Sequence, residues 1–121
     1  MGETYKLNDN MKYIITENQN EKLIIKYLNN EYGDLKEYRT DEYPDSVFYV
    51  KDNKVYMEQA LDMDWLHVDY FTIWKDLRTL FSLEDEDISR IITKWVEDTY
   101  GLSGVKIYVA KKVLRLIGRK L

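Results

Sequence analysis

The chain has 121 residues, 45% apolar and 33% charged, which suits one domain with a real core and excludes a collagen-like or wholly disordered polypeptide. It has no cysteine, so a disulfide framework and a thiolate metal site are both excluded, and no apolar run approaches the roughly 18 residues of a membrane-spanning helix. The formal charge of −4 is unevenly placed: six of the 18 basic residues and none of the acids fall in 106–121, leaving residues 1–105 with 12 bases against all 22 acids, a formal −10.

Residues 1–11 are polar and read as a loose arm or short edge strand. Met1–Lys6 lacks the apolar stretch of a signal peptide, and Lys6 stands where a myristoylation motif needs Ser or Thr. Lys12–Thr16 reads as a short strand. Thr16 and Gln19 form a capping box that opens a helix with Leu23, Ile24, Tyr27, Leu28 and Tyr32 on one face. Gly33 stands where a left-handed C-cap is expected. Residues 34–45 are polar, and Pro44 marks a turn or strand entry. Ser46–Lys51 and Lys54–Glu58 are rich in strand formers and flank Asp52-Asn53, two residues that tolerate positive φ, so this region predicts a β-hairpin. Asp64–Val68 reads as a further strand.

Asp69 is placed to cap a helix running to about Phe81, with Tyr70, Ile73, Trp74, Leu77, Leu80 and Phe81 as its apolar face. Ser82 is expected to cap the next helix. Glu84, Asp85, Glu86 and Asp87 lie over its first turn, Ile88, Ile91, Ile92, Trp95 and Val96 form its buried stripe, and Gly101 ends it. A basic amphipathic helix is predicted over about 104–119. The whole implies a single α+β domain over 1–121: a small, mostly antiparallel sheet in the order strand, helix, hairpin, strand, followed by three helices.

The terminal helix is the strongest candidate for a site. Its apolar residues fill one arc, leaving Tyr108, Lys111, Lys112, Arg115 and Arg119 on the other. Lys111, Arg115 and Arg119 recur at i, i+4, where like charges cost about 0.2–0.5 kcal/mol per pair. The helix dipole, internal pairing with the acidic body, or an anionic partner would each offset that cost. A membrane-surface role ranks lower, because the wide apolar arc suits a core.

Four other patterns bring together residues with chemical potential. Asp62, Asp64, His67 and Asp69 lie within eight residues, but strand parity sets Asp62 and Asp64 on one face and His67 and Asp69 on the other. Pro44-Asp45 with Asp52-x-Lys54 imitates a nuclease signature, yet six residues of strand would hold the two acids about 23 Å apart. The acidic run from Glu84 to Asp87 reads as helix capping, with imitation of nucleic-acid phosphates as the alternative. Tyr43, Phe48, Tyr49, Tyr56 and Trp65 could stack bases, although one face of such a ribbon is normally core. No phosphate loop, zinc-protease or nucleophile-elbow motif occurs.

Ile14-Ile-Thr-Glu-Asn-Gln19 resembles the start of many small uncharacterised proteins encoded in tailed-phage and marine-virus genomes. The stretch Trp74–Leu102, with Phe81-Ser-Leu-Glu84, Trp95-Val-Glu97 and Tyr100-Gly-Leu, resembles the second half of some of them. That group carries no assigned activity, so the resemblance implies a viral origin and no site residues.

The expectation is therefore a non-catalytic binding or accessory protein without metal or cofactor, in the cytoplasm (a host cytoplasm if viral). It would dock on an acidic protein surface or nucleic acid through Tyr108, Lys111, Lys112, Arg115 and Arg119, not on a membrane. The alternatives are an acidic, nucleic-acid-mimicking inhibitor of a host enzyme, or a structural virion protein. Oligomeric state stays open.

Overall fold

The structure, a computed structural model, describes residues 17–111. The predicted strand at 12–16, the Thr16 cap and the predicted helix beyond residue 111 lie outside the described residues. Helix α1 spans Glu17–Tyr32. Ile24 and Leu28 are fully buried, whereas Leu23 on the same predicted face is half exposed.

Gly33 does not take the expected left-handed conformation; among the described residues the glycines with positive φ are Gly101 and Gly104. Its requirement is space. The Gly33 amide donates to the Asn29 carbonyl oxygen at 3.1 Å, and an added Cβ would stand 2.4 Å from that same oxygen. Because the obstacle is backbone, Gly33→Ala is expected to cost about 1–3 kcal/mol, the usual range for a forced overlap. An unchanged thermal midpoint would show that the helix end yields freely.

Five strands follow: β1 (Lys36–Tyr38), β2 (Ser46–Lys51), β3 (Lys54–Ala60), β4 (Trp65–Asp69) and β5 (Lys106–Ala110). They form one mixed sheet in the order β1-β2-β3-β4-β5. The first three pairings are antiparallel and β4–β5 is parallel. The predicted hairpin is β2–β3, with Asp52 and Asn53 at φ 53° and 63°, the left-handed pair that a two-residue turn needs.

A bulge in β3 redirects its side chains. Tyr49 pairs with Met57, but Val50 pairs with Val55, so Tyr56 is the extra residue. Tyr56 and Met57 both pack with the helices, while Val55 joins Phe48 on the opposite face. Both faces of the central strands are thereby buried, as the pattern of β2 requires.

Parallel strands need a long crossover, and residues 70–105 supply it. A π-helical turn, Tyr70–Trp74, runs directly into α2, Lys75–Phe81. The wide turn buries the consecutive side chains of Ile73 and Trp74 and leaves Phe71 59% exposed. Asp69 holds the N-cap position without a side-chain capping hydrogen bond. Leu80, expected on the apolar face, is 59% exposed. Ser82 does not cap the following helix: it ends α2 in the left-handed region at φ 55°. Helix α3 runs Asp85–Tyr100 with Glu84 as its N-cap residue, Asp85, Glu86 and Asp87 in its first turn and Gly101 as left-handed C-cap. All five residues of its predicted stripe are buried.

The helices α1, α2 and α3 cover one face of the sheet. Ile24, Leu28, Tyr49, Met57, Leu66, Ile73, Leu77, Ile92 and Trp95 meet there in one cluster. Polar tips of the aromatic residues stitch it together. Tyr27 and Tyr32 both donate to Asp76 Oδ2 across the α1–α2 contact, Tyr27 at 2.8 Å, and the Trp95 indole donates to Asn29 Oδ1 at 3.0 Å. The Tyr100 hydroxyl donates to the Tyr32 carbonyl and accepts from the Leu35 amide.

The main correction concerns the terminal segment. Residues 106–110 are a strand, not the first turns of a helix over 104–119. Val105, Ile107 and Val109 do meet the core, but through strand alternation.

Candidate binding surface at the basic end of the sheet

The sheet face away from the helices carries a row of directly paired residues crossing all five strands: Tyr38, Phe48, Glu58, His67 and Tyr108. The next row along sets Ala60 beside Trp65 and Trp65 beside Lys106. Alternation in β4 sends Leu66 and Val68 into the core and puts Trp65, His67 and Asp69 on this second face.

The row grades from dry to wet. Phe48 and Glu58 are buried, and the Ser46 hydroxyl donates to Glu58 Oε2 at 2.8 Å. Trp65 stacks on His67 with ring centroids 4.2 Å apart, and Tyr108, across on β5, meets His67 edge-on at 5.9 Å. Burial holds the His67 imidazole below its ordinary pKa, and the Glu58 carboxylate partly offsets that. His67 is therefore favoured neutral, in contact with the rings of Trp65 and Tyr108. Burial also pushes the Asp69 carboxyl up.

At the sheet edge, Lys106, Tyr108 and Lys111 are exposed. The Lys111 ammonium lies 5.7 Å from the centre of the Tyr70 ring, which ties the end of β5 to the π-helical turn. Of the five residues predicted to make contact, the structure places Tyr108 and Lys111 at this edge. Lys112, Arg115 and Arg119 lie outside the described residues. Sequence reasoning missed Lys106, Trp65 and His67 as neighbours of Tyr108, because their proximity depends on the parallel β4–β5 register.

The other candidates separate. His67 and Asp69 share a face, as parity requires, while Asp62 and Asp64 sit in the turn before β4. No group of three His, Asp or Glu residues able to hold a metal occurs among the described residues. Asp45 precedes β2 and Asp52 follows it, at opposite ends of that strand. Phe48 and Tyr49 are buried on opposite faces, so the aromatic residues of the hairpin form no stacking platform. In the acidic run, Asp85 accepts from Arg78 at 2.7 Å and from the Trp74 indole at 3.1 Å, and Asp87 pairs with Arg90 at 3.5 Å.

No described helix is long and apolar enough to cross a membrane. Comparison with protein-family models, curated proteins and solved structures gives no match to this chain.

Proposed function

We propose that the protein is a small non-catalytic binding protein that docks on an acidic partner protein through its basic C-terminal region, from Lys106 and Tyr108 through Lys111, Lys112, Arg115 and Arg119. One observation carries the reading. Lys106 and Lys111 are exposed at the two ends of an edge strand, with no ion-pair partner among the described residues, where the chain enters its cation-rich segment. The resemblance to phage and marine-virus proteins supports a viral origin and a host cytoplasm as the place of action.

A local acidic surface suits this site better than nucleic acid. A long polyanion would also meet the field of the body, formally −10 over residues 1–105. A short acidic segment samples only charges within a Debye length, about 8–10 Å at physiological salt. Phosphate mimicry by the acidic run is disfavoured because Asp85 and Asp87 are already paired within the molecule.

A short oligo-glutamate peptide and duplex DNA, each labelled and titrated at roughly 50 and 200 mM salt, test the reading. The peptide is expected to bind more tightly at the lower salt, and a Lys111/Arg115/Arg119→Gln variant should lose at least about tenfold in affinity, equivalent to roughly 1.4 kcal/mol. Unchanged affinity in the variant overturns the assignment. Tighter binding to DNA than to the peptide moves the partner to nucleic acid.

A further inference from the structure

The two edges of the sheet differ. Strand β1 is three residues long and begins with the charged pair Lys36-Glu37. Strand β5 is five residues long and runs Lys106-Ile-Tyr-Val-Ala110. Natural sheets blunt their edges with short strands, bulges or charges, because an unpaired edge is a template for another strand. The β1 edge is blunted in this way. The β5 edge has an apolar and aromatic centre with single lysines beside it, and its register with β4 is continuous.

The hydrogen-bond phase of β5 follows from one contact. The Lys106 amide donates to the Asp64 carbonyl at 2.7 Å, and Lys106 pairs with Trp65. In a parallel ladder, bonding residues alternate, so Lys106, Tyr108 and Ala110 direct their backbone groups to β4. Ile107 and Val109 then direct their N–H and C=O groups away from the sheet, and no described strand pairs with them. Their side chains pack against the core, which anchors β5 from its inner face.

We infer that β5 is a strand-addition site: an extended acidic segment of the partner pairs with the outer edge of β5 as a sixth strand. The inference rests on the docking role proposed above and names its geometry. Main-chain bonds to Ile107 and Val109 would supply affinity, and the flanking charges would supply selectivity. Lys106 and Lys111 bracket the strand, which fits carboxylates near both ends of the incoming segment. A second copy of this chain fits poorly. Antiparallel pairing about Tyr108 would bring Lys106 of one copy near Lys111 of the other, like charge against like.

The probe is a synthetic ten-residue peptide of alternating Val and Glu, compared with the same peptide N-methylated on alternate residues. Amide exchange by NMR is the readout, on the full chain. Adding the unmethylated peptide should slow exchange at Ile107 and Val109 by at least about tenfold while Tyr108 and Ala110 change little. The methylated peptide should not protect. Lys106→Glu with Lys111→Glu should weaken the unmethylated peptide at least tenfold. Equal protection by both peptides, or protection elsewhere only, overturns strand addition; if the lysine variant still loses affinity in that case, the docking role stands without it. No protection by either peptide also overturns it. Protection of Ile107 and Val109 in the free protein, with a dimer by light scattering, would assign the edge to a second copy and overturn the acidic occupant.

Discussion

Trp95→Ala should lower stability by about 3–5 kcal/mol, a large part of the roughly 5–15 kcal/mol available to a domain of this kind. Trp95 is 1% exposed, at the centre of the α3 stripe. Its ring meets Tyr100 edge-on at 5.6 Å, and its indole N–H is bonded to Asn29 on α1. Truncation removes dispersion contacts, leaves a cavity between α1 and α3, and leaves the Asn29 oxygen without its donor. Trp95→Phe keeps much of the volume but not the donor, so it should fall between wild type and alanine. Urea unfolding followed by circular dichroism measures both. If the two variants lose the same free energy, the cost lies in the hydrogen bond and not in the cavity.

Alkaline solution should unfold the protein cooperatively. The buried Tyr49 phenol is pushed up to about 12, and Tyr27, Tyr32 and Tyr100 are also raised, in each case mainly by burial. At Tyr27 and Tyr32 the hydrogen bond and negative charge of Asp76 add to that effect. A phenol whose folded pKa lies above its unfolded value of about 10 favours the native state fully below pH 10. That contribution shrinks as pH rises from 10 towards the folded values, because the unfolded chain then gains by releasing the proton. Tyrosinate absorbance and far-ultraviolet circular dichroism should therefore change together over the later part of an alkaline titration. Asp76→Asn removes the charge that faces Tyr27 and Tyr32, brings their folded pKa values closer to the unfolded one, and should therefore shrink the total loss of stability between neutral and alkaline pH. Ionisation of all eleven tyrosines with the dichroism intact would refute the link.

The two long helices and the hairpin were readable because each rests on a local pattern. Ile88, Ile91, Ile92, Trp95 and Val96 repeat at helical spacing, Gly101 supplies the left-handed stop, and Asp52-Asn53 sits between two runs of strand formers. The errors fall where non-local pairing decides. Val105, Ile107 and Val109 alternate with Lys106, Tyr108 and Ala110, a period-two signal rich in β-branched and aromatic residues. The same residues also fit the apolar arc of a helix continuing to Arg119, and only the vacant flank of β4 chooses between the readings. Strand β1 was hidden because Lys36-Glu37-Tyr38 has no apolar alternation and exists by pairing with β2. The candidate surface was legible in part. Charge segregation pointed to Tyr108 and Lys111, but their proximity to His67 and Trp65 needed the register of a strand that the sequence disguised.

The long excursion from β4 to β5 has a kinetic meaning. Strands β1 to β4 join by short connections and can zip from the Asp52-Asn53 turn outward, whereas β5 must wait for residues 70–105 to compact before it finds its flank. Its ladder closes the largest loop in the sheet, so the entropic penalty of assembly is concentrated there. Any tether that extends β5 therefore acts on the strand whose pairing spans the longest stretch of chain, and adds to the one ladder that closes that loop.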